Sequence, residues 1–486
     1  MLMTRIIPLL LTCVLGFPCA SEAATTPAEL ASTLNDHRSV RGPDEEKAWA
    51  VLSGPLQRLE PMPDRAAASY QNLWPGMDSW EQATAWSASQ DGLAEAVAEA
   101  SDRIKFGLAY GREAMTSDEI AAGLLVDLGD SDQIIRPQFI YLKQIDRLLQ
   151  WIVVEANRMI DAGEVEQGVD LLIDGVFLMR LLADREFLDE KSWAMDRLIG
   201  MLEVLRDVMY RNQDQMPAEL LRRISLKDMP AVRPDRARLF IPEHDRLVCR
   251  TFLENAFDEI YGADAEKFPR VYTELQANAE PLSRFGARRR WESLRDGHDA
   301  LRSSLDRLDQ VYDDWWRRWR VNPTSDMGQM ILAKLSQFEI MNQARFAAML
   351  VAIQDMQGLF DLRDDLVLAV NATATSAALA SYVQDRDVYP ADMRFIYGIT
   401  GSKDHDKDIH DLDYRGFVYR VPKVRKSIDV GRTRVWIEPG MGLLYSVGRD
   451  GVDGLAARHL DVESGGDLVL WPPPQTLVRE HLKAAP

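Results

Sequence analysis

Asp404, Asp406 and Asp408 alternate along a run that also holds His405, His410, Asp411 and Asp413. Carboxylates repeated at that spacing are what a hard cation needs, and these three repeat the first ligand positions of an EF-hand loop. Ile409 then stands where such a loop needs glycine, and Arg415 where it needs its closing glutamate, so an EF-hand is excluded. A looser oxygen-ligand calcium site, a His-containing transition-metal site and a solvated turn remain open for the run. Nucleophilic chemistry has less to work with, since the chain contains no G-x-S-x-G, no H-E-x-x-H and no C-x-x-C. Residues 398–403 have phosphate-loop ingredients in the wrong order, and Gly440-Met441-Gly442 lacks the third glycine of a dinucleotide loop, which suits a hairpin turn. Glu243, His244 and Asp245 stand shortly before Cys249, but a thiol nucleophile needs its base held against it in space. A satisfied histidine and a buried thiol is the simpler expectation there. Trp315-Trp316-Arg317-Arg318-Trp319-Arg320, with Arg288-Arg289-Arg290-Trp291 before it, could stack bases or sit at anionic lipid. The competing expectation is that Trp315 and Trp319 fill a core stripe while the arginines pair with acids.

The N-terminus carries one positive charge at Arg5, an apolar run over residues 6–17, and the small-residue exit Ser21-Glu22-Ala23 before Ala24. Those are the three parts of a cleavable signal peptide over 1–23, and the run is too short to span a bilayer. Pro18 before Cys19 argues against a lipoprotein. The expectation is an exported protein, periplasmic or extracellular, with no transmembrane span once the signal is cleaved. Cys13 and Cys19 leave with the signal, so Cys249 remains alone and no internal disulfide forms. A formal charge of −19 over 486 residues repels phosphate backbones and makes nucleic acid an unsuitable partner.

Between these features the chain reads mostly as helix. Residues 24–80 hold Pro55, Pro61, Pro63 and Pro75, which predicts short helices and loops. Leu142, Ile145, Leu149, Ile152, Ala156 and Met159 line one helical face, and Asp161-Ala162-Gly163-Glu164 turns into a second helix through Val165 to Leu182, with a third over 193–209. The pair resembles a tetratricopeptide unit, but no second copy follows, so an irregular bundle is expected. Prolines over 217–242 suggest a sub-boundary near 216–245. Leu301 to Trp319 forms another stripe, ended by Pro323, and a continuous helix is predicted from Met327 towards Arg386. After Pro390 the period changes, and residues 394–400, 416–421, 433–438, 442–447 and 467–471 carry strand signals, with Glu438-Pro439-Gly440 as the clearest turn.

Residues 443–473 resemble the C-terminal end of type II secretion major pseudopilins. In that family a strand ending in an aromatic-Ser-x-Gly motif enters an Asp-Gly loop that an Asp-Leu segment closes. The matching residues are Tyr445-Ser446-Val447-Gly448, Asp450-Gly451 and Asp467-Leu468, and upstream Val388-Tyr389-Pro390 matches the Tyr-Pro before the family's sheet. The resemblance implies a pilin-like tail and a calcium-binding loop, with Asp450 and Asp467 at the acidic positions and Asp453 as a further ligand. Gly465-Gly466 replace another carboxylate of the family pattern, so the alternative is a loop that keeps the shape, with Arg449 or Arg458 supplying the positive charge.

Taken together, the sequence predicts a mainly α fold, an irregular helical bundle over 24–386, followed by a small antiparallel β-rich, pseudopilin-like module over 387–486. The functional expectation is an exported, non-enzymatic scaffold or partner-binding body whose tail links to envelope assembly or secretion. The alternatives are a hydrolase-type enzyme around Glu243, His244 and Asp245, and a small-ligand or lipid-binding helical protein.

Overall fold

The computed structural model describes residues 24–63, 68–130, 133–226, 228–230, 239–258, 262–279, 286–321, 326–400, 407–411, 416–459 and 465–484. The fold is mainly α with a small β-rich part towards the C-terminus. Its centre is a run of three helices, Leu142–Asp161, Val165–Leu182 and Leu188–Arg211, each packed on the next. The apolar stripe of the first is buried as the spacing requires, at Ile145, Leu149, Ile152 and Ala156. Gly163 makes the tight turn between the first two at φ +88°, a conformation that side-chain-bearing residues rarely adopt. A Cβ on Gly168 would stand 2.5 Å from the Ala156 carbonyl, so only glycine lets the second helix approach this closely.

The third helix packs against Gln357–Arg386, whose middle is built from buried small residues such as Ala372, Ala377, Ala378 and Ala380. Small side chains let the neighbouring helices come close on every side. By length and composition this 30-residue helix could cross a membrane, but 78% of its apolar window is buried inside the fold.

Residues 327–386 are not one helix. Asp326–Leu332 ends, Ala347–Ala352 forms a single short piece, and the long helix starts only at Gln357. Polar side chains restart the chain each time. Ser336 Oγ accepts from the Glu339 amide (3.1 Å) while Glu339 accepts from the Ser336 amide (2.6 Å), a reciprocal capping box. Asn342 Oδ1 then accepts from the amides of Ala344 and Arg345, and Asp355 from that of Gln357. Residues 394–400 are not a strand either. Asp392 accepts from the Arg394 amide at 2.9 Å and opens helical turns at Met393–Phe395 and Tyr397–Thr400. Pro55 sits inside the helix Ala48–Arg58, three residues from its end, and does not stop it.

The body also contains a hairpin, Val126–Asp130 with Gln133–Phe139, that periodicity did not show. The C-terminal strands form two three-stranded sheets instead of one antiparallel sheet. Leu443–Ser446 is central in the first, between Leu468–Trp471 and Val418–Arg420. In the second, Lys426–Val430 pairs antiparallel with Thr433–Ile437 and parallel with Arg458–His459. The turn at Glu438 to Met441 therefore joins strands of different sheets and is not a hairpin turn. Alternation explains the apolar runs. Leu444, Leu468 and Leu470 join the core of the helical body, whereas Leu443, Tyr445 and Val469 face a smaller core with Ile428, Val435 and Ile437. The chain finishes in a helix, Pro474–Ala484.

Candidate functional site

The carboxylate loop has the expected frame. Leu468–Trp471 returns antiparallel beside Leu443–Ser446, with Leu468 opposite Ser446, and the Asp450 amide donates to the Gly465 carbonyl at 2.8 Å. Burial raises the Asp467 carboxyl above its ordinary value, and the charges of Asp453 and Asp450 add to the rise, while the Ala456 and Gly454 amides oppose it. Those amides donate to the two Asp467 oxygens at 2.6 and 3.2 Å. Asp453 accepts from the Tyr445 hydroxyl and the Leu455 amide, both at 2.8 Å, and from Arg420 at 2.7 Å. Asp450 accepts from the Val452 amide at 2.9 Å. Arg449 turns away to Asp365 at 2.7 Å, and Arg420 pairs with Asp453 at 2.7 Å. Arg420 could not be read from the loop, because it arrives through strand pairing.

A calcium shell needs six to eight oxygens, whereas amide hydrogens and a guanidinium face these carboxylates. Among the described residues of the loop, a cation would have to displace these donors; Asp461 and Glu463 lie outside the described residues. Thermal melting should therefore be the same in excess calcium and in chelator, with Asp453→Ala lowering the midpoint equally in both. A midpoint that rises with calcium and loses the rise in Asp450→Ala would restore the metal.

Of the other acidic run, Asp404 and Asp406 lie outside the described residues. Asp408 is buried and accepts from the amides of His410 and Val447, each at 3.0 Å, which fastens its loop to the end of the Leu443–Ser446 strand. Burial raises its carboxyl above the ordinary value, against the hydrogen bonds. His410 stands 3.3 Å from Asp365 on the long helix.

Glu243, His244 and Asp245 diverge. Glu243 accepts from Trp316 Nε1 at 2.6 Å and Asp245 from the Leu188 amide at 2.7 Å. His244 is fully buried among the rings of Tyr110, His37 and Phe187, with centroids 5.0–5.2 Å away, and neither ring nitrogen has a hydrogen-bond partner among the described residues. Burial drives it far below the ordinary histidine value and pushes the Cys249 thiol far up. Glu186 accepts from the Glu243 amide and, by burial, is pushed up to about 7, although Lys191 and Arg38 pull it down. Beneath it lies the pair Arg185 and Glu190, 2.9 Å apart and at most 1% exposed, with the Tyr110 and Tyr141 hydroxyls also donating to Glu190. These groups form a sealed polar seam and do not line an open cleft. Trp315 and Trp319 are also core, Trp319 donating to the Leu239 carbonyl; Arg318 and Arg317 pair with Asp314 at 3.0 and 3.4 Å, whereas Arg290 donates to Gln276.

An open cleft lies elsewhere. A cleft of about 960 Å³ runs between the helices Pro27–Asn35, His244–Ala256 and Lys267–Ala279 and the strand Gln133–Phe139. Its lining is mostly polar, with Thr25, Glu29, Asn255, Lys267, Arg270 and Glu274 besides the apolar Ile134, Phe252 and Val271. Glu274 accepts from Gln133 at 2.9 Å, and Asn255 donates to the Ala24 carbonyl at 2.9 Å. Asp264 accepts from the amides of Glu266 and Lys267, which starts the helix that presents Lys267 and Arg270 one turn apart. Both are exposed and neither makes an ion pair with a described residue. Nothing in the sequence marked this cleft, because its residues come from four separated segments.

Compared with known proteins, the chain matches no family model, no curated protein and no solved structure significantly. The class it can be given is therefore the architectural one, a mainly α body with a small two-sheet C-terminal part.

Proposed function

We propose that the chain is an exported, non-enzymatic binding protein that receives a polar polypeptide segment of mixed charge in the cleft beside Ala24, with its C-terminal strands serving as a pseudopilin-like tail. The observation that carries this reading is the cleft: its volume is that of a ligand site, and Lys267 and Arg270, unpaired among the described residues, share its lining with Glu29 and Glu254. The mostly polar lining speaks against the lipid-binding alternative. The enzyme alternative would need acid and base converging in a cleft, and Glu243, His244 and Asp245 each face a different neighbour. Cleavage before Ala24 would place the new ammonium on the wall of the same cleft. The test is charge reversal, Lys267→Glu with Arg270→Glu, followed by capture of partners from envelope extract against the unaltered protein. Selective loss of a captured partner supports the reading, and an unchanged set of partners overturns it.

A further inference from the structure

A second, smaller pocket of about 120 Å³ lies where the C-terminal part meets the helical body. Glu203, Arg206, Asp207 and Arg211 reach it from the helix Leu188–Arg211, Val469 from the strand Leu468–Trp471, and Arg479 from the helix Pro474–Ala484.

Its charges are unevenly matched. Asp207 serves two arginines at once, accepting from Arg479 at 2.9 Å and from Arg211 at 3.2 Å, and Thr476 donates to its other oxygen. Glu203 lies on the solvent side and accepts from Gln71 at 3.2 Å. Arg206 has only neutral partners, the Thr373 hydroxyl at 2.8 Å and the Ala369 carbonyl at 3.2 Å, and makes no ion pair with a described residue. It is nevertheless only 7% exposed. Burial holds its guanidinium below the ordinary value, with Glu203 pulling the other way.

A buried guanidinium without a matching carboxylate costs stability, and an apolar side chain of similar volume would remove that cost. The lining carries three guanidinium groups against two carboxylates, in a protein whose formal charge is −19. Residues of the first turn of Pro474–Ala484 complete the wall, which adds the positive end of a helix dipole. The pocket is smaller than the roughly 300–1,000 Å³ of drug-sized sites but holds far more than the 10–15 Å³ or so that one water needs.

We propose that this pocket binds a small oxyanion, a carboxylate or phosphate group, with Arg206 as its principal contact. Because the walls come from both the helical body and the C-terminal strand and helix, the bound anion ties the two together.

The test is thermal melting of the full chain in chloride, acetate and phosphate at equal ionic strength, with the oxyanions titrated through the low millimolar range. The unaltered protein should show a saturable rise in midpoint with one oxyanion, because a ligand bound only by the folded state stabilises it. Which oxyanion gives the rise separates a carboxylate from a phosphate ligand. Arg206→Met should lose the rise, while its midpoint in chloride equals or exceeds that of the unaltered protein. Should Arg206→Met fail to fold, Arg206→Lys decides, since a point charge on a shorter reach should weaken the response by about tenfold. No rise with either oxyanion, an equal rise in Arg206→Met, or an unweakened response in Arg206→Lys overturns the proposal.

Discussion

Replacing Glu190 with alanine should lower the stability of the folded chain by roughly 3–5 kcal/mol, the range for breaking one side of a buried ion pair. Glu190 is fully buried and takes hydrogen bonds from Arg185 (2.9 Å), Tyr110 (3.1 Å) and Tyr141. Without it Arg185 keeps the Leu108 carbonyl and its stacking over the Tyr110 ring but has lost its counter-charge in the core, and two buried hydroxyls lose their acceptor. Removing both charges, as Glu190→Ala with Arg185→Met, should recover part of the loss, because the cost lies mainly in the stranded charge. Chemical denaturation at neutral pH measures all three proteins. A single-mutant loss under about 1 kcal/mol would mean the seam is wetter and looser than described.

The second large effect depends on pH. Glu186 and Asp245 are both raised by burial to about 7, from ordinary values of 4.5 and 3.8. His37 is lowered by burial to about 4 and His244 is lowered further still. The signs oppose. Between about pH 4.5 and 7 the folded state holds a proton on Glu186 that the unfolded chain has released, so stability from this group is present at low pH and lost as pH rises. Below about pH 6.5 the unfolded chain binds protons on the histidines that the folded state refuses, so their contribution is present at high pH and lost as pH falls. In the intact protein these slopes hide each other. Glu186→Gln should uncover part of the histidine slope, with Asp245 still opposing it. Relative to the unaltered protein, its stability should fall by about 1.4 kcal/mol for each pH unit between 6.5 and 4.5, a total of roughly 3 kcal/mol. His244→Phe should shift the profile the opposite way. Parallel pH profiles for Glu186→Gln and the unaltered protein would show that Glu186 stays ionised in the fold.

Neither seam nor cleft was legible in the chain. Tyr110 and Glu190 are 80 positions apart and Tyr141 and Glu190 are 49 apart, and only tertiary packing joins them. The helices with one clear apolar stripe, such as Leu142–Asp161 and Leu301–Arg320, were visible because burial follows a fixed period there. Periodicity failed where short polar side chains took control of the backbone. Ser336-Gln337-Phe338-Glu339 is a capping signature that can be seen in the sequence, yet the apolar residues around it suggested an unbroken helix. The strands Leu443–Ser446 and Leu468–Trp471 were found as apolar runs, but which sheet each joined depended on two cores that only the folded chain creates. The loop between them shows the same limit. Its aspartates carry the resemblance, whereas their partners, Arg420 and the amides of Gly454, Leu455 and Ala456, arrive through strand pairing and turn geometry.

We propose that the cleft beside Ala24 is a docking site read by charge. Lys267 and Arg270 are exposed and unpaired among the described residues, so reversing both should leave stability within about 0.5 kcal/mol. Binding is another matter, because like charges placed against a partner cost several kcal/mol. Titration of the captured partner should therefore show affinity reduced at least tenfold or so in Lys267→Glu with Arg270→Glu, at an unchanged melting midpoint. Equal affinity in the two proteins, with the same midpoint, would contradict the account and move the binding surface away from this cleft.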